Sequence, residues 1–136
     1  MKNLLAMCAL LGILTSCTDY ESKRGPVSWQ RKKKNLQTQF ITANDGDTID
    51  LPEGYFMFTK SLSMDGKSNI VIRGKGMDKT VLSWKNQTEG AEGLRISNGK
   101  NIVLQDFAVE DAKGDNIKVS DTRGITFFRI SSFVFL

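Results

Sequence analysis

Between Asp106 and Lys118 the chain places six ionisable side chains, Asp106, Glu110, Asp111, Lys113, Asp115 and Lys118, within thirteen residues. Carboxylates in such a group can take or give protons, and an amine beside them can offset developing negative charge. Asp106, Asp111, Asp115 and Lys118 are therefore the candidate catalytic residues. The same carboxylates, if brought onto neighbouring layers of a fold, suit Ca²⁺, which takes six to eight oxygens at roughly 2.3 to 2.6 Å. The competing reading is structural: Asp111 to Asp115 is a solvated turn between two strands, with alternate positions facing outward. Arg73, Arg95 and Arg129 lie on or beside apparent strands and could meet an anionic ligand or simply face water. The 136 residues include no histidine, which excludes a Ser-His-Asp triad, a histidine zinc site and any imidazole acid or base. The two cysteines, Cys8 and Cys17, both lie in the first 17 residues and cannot staple a core.

The elements that must position these groups are strands. With 40% apolar and 25% charged residues, the chain is one domain or part of one. From Phe40 onward it consists of short β-branched runs punctuated by Gly, Asn, Asp and Lys. Three runs open alike, Asn69-Ile-Val-Ile72, Asn101-Ile-Val-Leu104 and Gly124-Ile-Thr-Phe127, at steps of 32 and 23 residues. Further strands are expected at Thr48 to Leu51, Tyr55 to Met64, Thr80 to Trp84, Gly93 to Ser97 and Asn116 to Ser120. Several strands per unit of this length indicate a solenoid. In a coil, like residues stack about 4.8 Å apart, which makes Ile70, Ile102 and Ile125 one ladder and Ile72, Leu104 and Phe127 another. Asn69 and Asn101 then sit at corners, where asparagine tolerates a left-handed conformation. Asp45-Gly46, Asp65-Gly66 and Asn98-Gly99 serve as corners as readily as hairpin tips. Ser28 to Asn44 alone has helix-like apolar spacing, with Trp29, Leu36, Phe40, Ile41 and Ala43 on one face. It is expected to cap the open first coil and to stop near Asn44-Asp45-Gly46, the alternative being that it remains part of the tether. Arg73-Gly74-Lys75-Gly76 reads as a tight corner using positive φ, since no following helix supports a phosphate-binding loop.

The amino terminus reads as an address. Lys2 precedes eleven apolar residues, Leu4 to Leu14, a run short for a membrane-spanning helix. Leu14-Thr15-Ser16-Cys17 looks like a bacterial lipobox, which makes residues 1–16 a lipoprotein signal peptide and Cys17 the lipidation site. An ordinary signal peptide or an uncleaved anchor are the alternatives. Residues 17–35 have the composition of a tether and hold six of the 19 basic residues, whereas residues 35–136 carry 12 basic against 13 acidic groups. The basic pI of about 9.1 thus belongs to the leader and tether, where cations either attract anionic headgroups or are merely solvated. No aromatic residues interleave with these charges on a folded surface, so nucleic acid is not the expected partner.

The stretches Gly46 to Phe58, Leu62 to Leu82, Glu89 to Ser97 and Asn101 to Val119 resemble bacterial right-handed parallel β-helix repeat proteins of the pectin-lyase-like superfamily. The resemblance covers about residues 36 to 130. It implies an all-β fold, a right-handed parallel β-helix of about three to four coils with an amino-terminal capping helix over residues 36–136. By analogy it implies a cell-envelope protein that is carbohydrate-active in its full form, a uronic-acid polysaccharide lyase or epimerase, with calcium as a possible cofactor. A non-enzymatic carbohydrate-binding or structural surface module is the alternative. Anionic polysaccharide and, through acylated Cys17, the membrane are the expected partners. The apolar run Ile130 to Leu136 departs from the family, in which further coils follow. The expectation is an amino-terminal fragment, itself inactive, arising from a premature stop or frameshift around Phe128. Growth of an expressing bacterium with a radiolabelled fatty acid tests the anchor: label should enter the protein and be lost in Cys17→Ser, and label retained by that variant would contradict it.

Overall fold

The computed structural model describes residues 36–134. The expected signal peptide, Cys17, the expected tether and Trp29 lie outside them. Helix α1 (residues 36–42) is followed by nine strands: β1 (Thr48–Asp50), β2 (Gly54–Met57), β3 (Lys60–Asp65), β4 (Val71–Arg73), β5 (Thr80–Ser83), β6 (Glu89–Ser97), β7 (Lys100–Glu110), β8 (Ile117–Ser120) and β9 (Arg123–Phe133). All pairings are parallel and join each strand to its counterpart one turn away, giving a β-solenoid of about four turns. The first face holds β1, β4 and the leading halves of β7 and β9. The second holds β2, β5 and their trailing halves, and the third holds β3, β6 and β8.

The expected ladders are present. Ile49, Ile72, Leu104 and Phe127 are in register on the first face, with Ile102 over Ile125 beside them. Leu62, Leu94 and Ile117, then Met64, Ile96 and Val119, line the third face. Because β side chains alternate, every second residue points inward and each coil sets its apolar groups onto those of the next. Ile70, Ile72, Ile102 and Leu104 are fully buried, each stabilising the fold by roughly 1.5 to 3 kcal/mol relative to exposure. Phe58 and Trp84 stack across adjacent coils at 5.4 Å, and the Trp84 indole N–H donates to the Lys60 carbonyl at 3.0 Å.

Corners are built from left-handed residues in columns. Gly46, Asn69, Asn101 and Gly124 have φ of 93°, 55°, 52° and 74°, and the Asn101 amide donates to Asn69 Oδ1 at 3.1 Å. Gly66, Asn98 and Asp121 repeat the pattern between the third and first faces with φ of 65°, 51° and 48°. Each Asx residue or glycine here supplies the conformation that other residues adopt at a cost. Asp45-Gly46, Asp65-Gly66 and Asn98-Gly99 therefore turn coil corners and not hairpins.

Helix α1 lies against the first coil. Leu36, Phe40 and Ala43 are buried. The Gln37 side-chain amide donates to the Ser63 carbonyl at 2.8 Å and accepts from the Ser63 N–H at 2.9 Å, so it completes the edge of β3 as a neighbouring strand would. Lys67 Nζ donates to the carbonyls of Ile41 and Ala43 at the end of the helix, which stops as expected just before Asn44. Ile41 departs from the expected face and is 64% exposed. The run Tyr55 to Met64 also departs from expectation: it is two strands, broken where Phe58 turns inward beneath Trp84.

The step between coils is 23 residues from Ile49 to Ile72 and from Leu104 to Phe127, but 32 from Ile72 to Leu104. The extra residues of the second coil emerge at two corners, one of them Lys75–Lys79, where the first coil has only Pro52 and Glu53. Gly74 stands at the root of that loop. A Cβ there would lie 2.2 Å from the Asp106 carbonyl oxygen, so its glycine serves close approach between coils, whereas Gly76 supplies the positive φ, 144°. Gly74→Ala should lower the unfolding free energy in urea by about 1 to 3 kcal/mol through overpacking. Lys75→Ala, exposed beside it, should stay within about 0.5 kcal/mol; equal effects would contradict this packing.

Candidate functional site

The corner between the first and second faces gathers charge in vertical pairs. Arg73 Nε donates to Asp50 Oδ1 at 2.8 Å, one coil below, and Arg129 Nη2 donates to Asp106 Oδ2 at 2.9 Å, also one coil below. Both pairs are 23 residues apart, the length of a coil. β7 and β9 bend at this corner because Asp106 and Arg129 take φ of 61° and 49°. The Lys75–Lys79 loop projects beside the pairs, held by Gly76 N–H to the Asp106 carbonyl (2.8 Å) and Lys75 N–H to Thr80 Oγ1 (2.9 Å). Together they border a groove of about 540 Å³ lined by Arg73, Lys75, Met77, Asp78, Asp106 and Arg129. Phe128 is 51% exposed next to it, with the Arg129 guanidinium 4.5 Å from its ring centre.

The electrostatics of the groove follow from these pairs. The hydrogen bond from Arg129 holds the Asp106 carboxyl below the ordinary carboxylate range, with partial desolvation opposing it and the Arg129 and Arg73 charges assisting. Asp50 is likewise held down, first by its bond to Arg73. Both guanidinium groups are correspondingly raised by their aspartates. All four groups are therefore ionised at neutral pH. Each guanidinium carries five N–H donors in a plane, more than one aspartate requires.

The four candidate catalytic residues do not converge. Asp106 is in the groove, tied to Arg129. Asp111 is at the far end of the second face, about 16 Å along β7 at roughly 3.3 Å per residue, with φ of 58°. Asp115 closes the turn into β8, and Lys118 faces out from β8, paired to Glu92 at 3.0 Å. The Asp111–Asp115 turn is fastened to the coil below: Lys113 N–H donates to the buried Gln87 Oε1 at 3.0 Å and Gly114 N–H to the Ala91 carbonyl at 2.7 Å. Glu110, buried on the second face, accepts the phenolic hydrogen of Tyr55, whose pKa is raised first by burial and then by that carboxylate. Among the described residues no three or more Asp, Glu, Cys or His side chains are placed to hold a metal ion. The acidic run thus does not supply the oxygen shell that calcium requires.

Sequence reasoning singled out Arg73, Asp106 and Arg129 but not Asp50, Lys75, Asp78 or Phe128 as their neighbours. The available signal was the repeat itself, with opposite charges at i and i+23. No helix among the described residues is long and apolar enough to cross a membrane. Comparison with known proteins found no matching family model, no matching curated protein and no matching solved structure.

Because Asp106 has a depressed pKa when folded, its contribution to stability is complete above its unfolded value of about 3.9 and fades as pH falls through the folded value. The stability difference between the native chain and Asp106→Asn should be constant near neutrality and shrink below about pH 4. A difference in urea midpoint that stays the same through acid would show that the carboxylate is not held by Arg129.

Proposed function

We propose that this chain is a lipid-anchored protein of the bacterial cell envelope, a β-helix of the pectin-lyase-like kind, whose coil corner binds an anionic polysaccharide. The observation that carries the reading is the groove at that corner. Three cations, Arg73, Lys75 and Arg129, stand on its border, two of them fixed in orientation by aspartates. Fixed planar donors suit sugar carboxylates and hydroxyls, and the half-exposed Phe128 ring offers an apolar surface beside them. Arg73 and Lys75 belong to the second coil and Arg129 to the fourth, two rungs or roughly 10 Å apart along the solenoid, so one extended ligand can meet both.

Binding is favoured over catalysis by the same geometry. A uronic-acid lyase or epimerase needs a base beside a cation at one reacting carbon. Asp106, which has the cations, is engaged by Arg129, and Asp111, Asp115 and Lys118 stand on other parts of the coil. Retention of the full chain on immobilised alginate or pectate, with a neutral glucan as control, tests the reading. Arg73→Gln with Lys75→Gln should weaken retention at least fivefold, and added salt should weaken it further. Absorbance of an unsaturated sugar product should stay flat. Equal retention of native and variant chains, or equal retention on the neutral glucan, would remove the groove from the account.

A further inference from the structure

The groove at the corner between the first and second faces is balanced in charge. With Asp50 behind Arg73, it brings together three cations, Arg73, Lys75 and Arg129, and three carboxylates, Asp50, Asp78 and Asp106. The carboxylates differ in what they have left to offer. Asp50 is tied to Arg73, and Asp106 accepts from Arg129 at both oxygens and from the Gln105 amide at 3.3 Å. Asp78 is exposed, and no hydrogen bond or ion pair among the described residues engages it. A free carboxylate beside three cations penalises a densely charged polyanion and offers an acceptor to a hydroxyl group.

We propose that the ligand of this groove is a glycan in which a uronic acid alternates with an uncharged sugar, its carboxylates meeting Arg73 and Arg129 and a hydroxyl of the intervening sugar donating to Asp78. The proposal rests on the glycan reading of the groove and narrows it to one pattern of charge.

The spacing of the cations sets that pattern. Arg73 lies in the second coil, in the column that continues through Gln105 to Phe128, and Arg129 follows Phe128 in the fourth. Each reaches down one coil to its aspartate, so both guanidinium groups are displaced alike and stay two rungs, roughly 10 Å, apart along the axis. An extended chain of equatorially linked pyranoses advances about one rung per sugar, so the two groups meet every second sugar. Donors remain for the purpose. Arg73 spends only Nε on Asp50 and keeps both terminal nitrogens, and Arg129 spends Nε and Nη2 on Asp106 and keeps Nη1.

The projecting loop sets Asp78 beside the sugar between them. Lys75–Lys79 leaves the second coil and is fastened to the third by the Gly76 N–H on the Asp106 carbonyl at 2.8 Å, so it flanks the interval between the two guanidinium groups. Its turn is closed by the Lys79 and Thr80 N–H groups, which both donate to the Gly76 carbonyl. The Asp78 side chain folds back over Gly76, where an added Cβ would lie 2.9 Å from Oδ1, and this places the carboxylate over the corner. An uncharged sugar here donates a hydroxyl hydrogen to Asp78. A uronic acid in the same place sets a second carboxylate against it, and Lys75, on the same loop, balances only one of the two.

Isothermal titration calorimetry of the full chain, in a mild detergent that disperses an acyl anchor, tests this with oligosaccharides of equal length: hyaluronan for the alternating pattern and polymannuronate for a carboxylate on every sugar. The native chain should bind the hyaluronan oligosaccharide at least fivefold more tightly. Asp78→Asn, which keeps an acceptor oxygen and loses the charge, should bring the ratio within about twofold, chiefly by tightening polymannuronate, while circular dichroism stays unchanged. Arg73→Gln should weaken both ligands. Equal affinities in the native chain, a preference for polymannuronate, or a ratio that Asp78→Asn leaves unchanged would overturn the proposal and leave the glycan reading standing on the effect of Arg73→Gln. Binding of neither oligosaccharide would overturn both.

Discussion

Everything in this fold depends on register between coils. A strand of three or four residues, such as β1 or β4, has no stability of its own. It persists because its inward side chains land on those of the coil above and below while its backbone completes a parallel ladder. A slip by one residue would turn Ile72 and Leu104 outward and bring Val71 and Val103 inward, with every neighbour in the column displaced. The fold tolerates extra residues only where they leave the stack, and the second coil shows this by pushing Lys75–Lys79 out at a corner while both flanking strands stay in step.

The same register fixes the outward chemistry. Asp50 and Arg73, or Asp106 and Arg129, meet because each lies one coil from its partner, so the ion pairs are products of the inward ladders. The left-handed bends at Asp106 and Arg129 turn the chain from one face to the next and bring that carboxylate and guanidinium to the rim of the groove. Corner conformation, charge pairing and groove shape are thus one arrangement. It is also stiff: Gly74 and the Gly76 N–H are both packed or bonded against the Asp106 carbonyl.

Much of this was legible in the sequence, for a physical reason. Isoleucine-led runs opened by Asn69 and Asn101 are periodic because the coil is periodic, and asparagine marks corners because it accepts φ near 55° more readily than most residues. The capping helix was legible from Leu36, Phe40 and Ala43, although Ile41 misled, since an apolar residue next to a buried one need not share its face. The break between β2 and β3 was hidden because Phe58 and Thr59 carry no turn signal, and the cause of the corner is a contact with Trp84, 26 residues away. The groove was the least legible part. The dense acidic run between Asp106 and Lys118 drew attention by proximity in sequence, yet a coil distributes adjacent residues around its faces and collects those a full turn apart. Asp50, Lys75 and Phe128 belong together only once the 23-residue and 32-residue steps are known.

The central claim is that like segments stack in parallel along one axis. Nuclear Overhauser contacts in an isotopically labelled sample test it directly, because antiparallel neighbours bring Hα atoms into close contact across strands and parallel neighbours do not. The account predicts side-chain contacts between Ile102 and Ile125 and between Leu104 and Phe127, with no Hα–Hα contact between the segments 101–105 and 124–128. Cross-strand Hα–Hα contacts between those segments would contradict it.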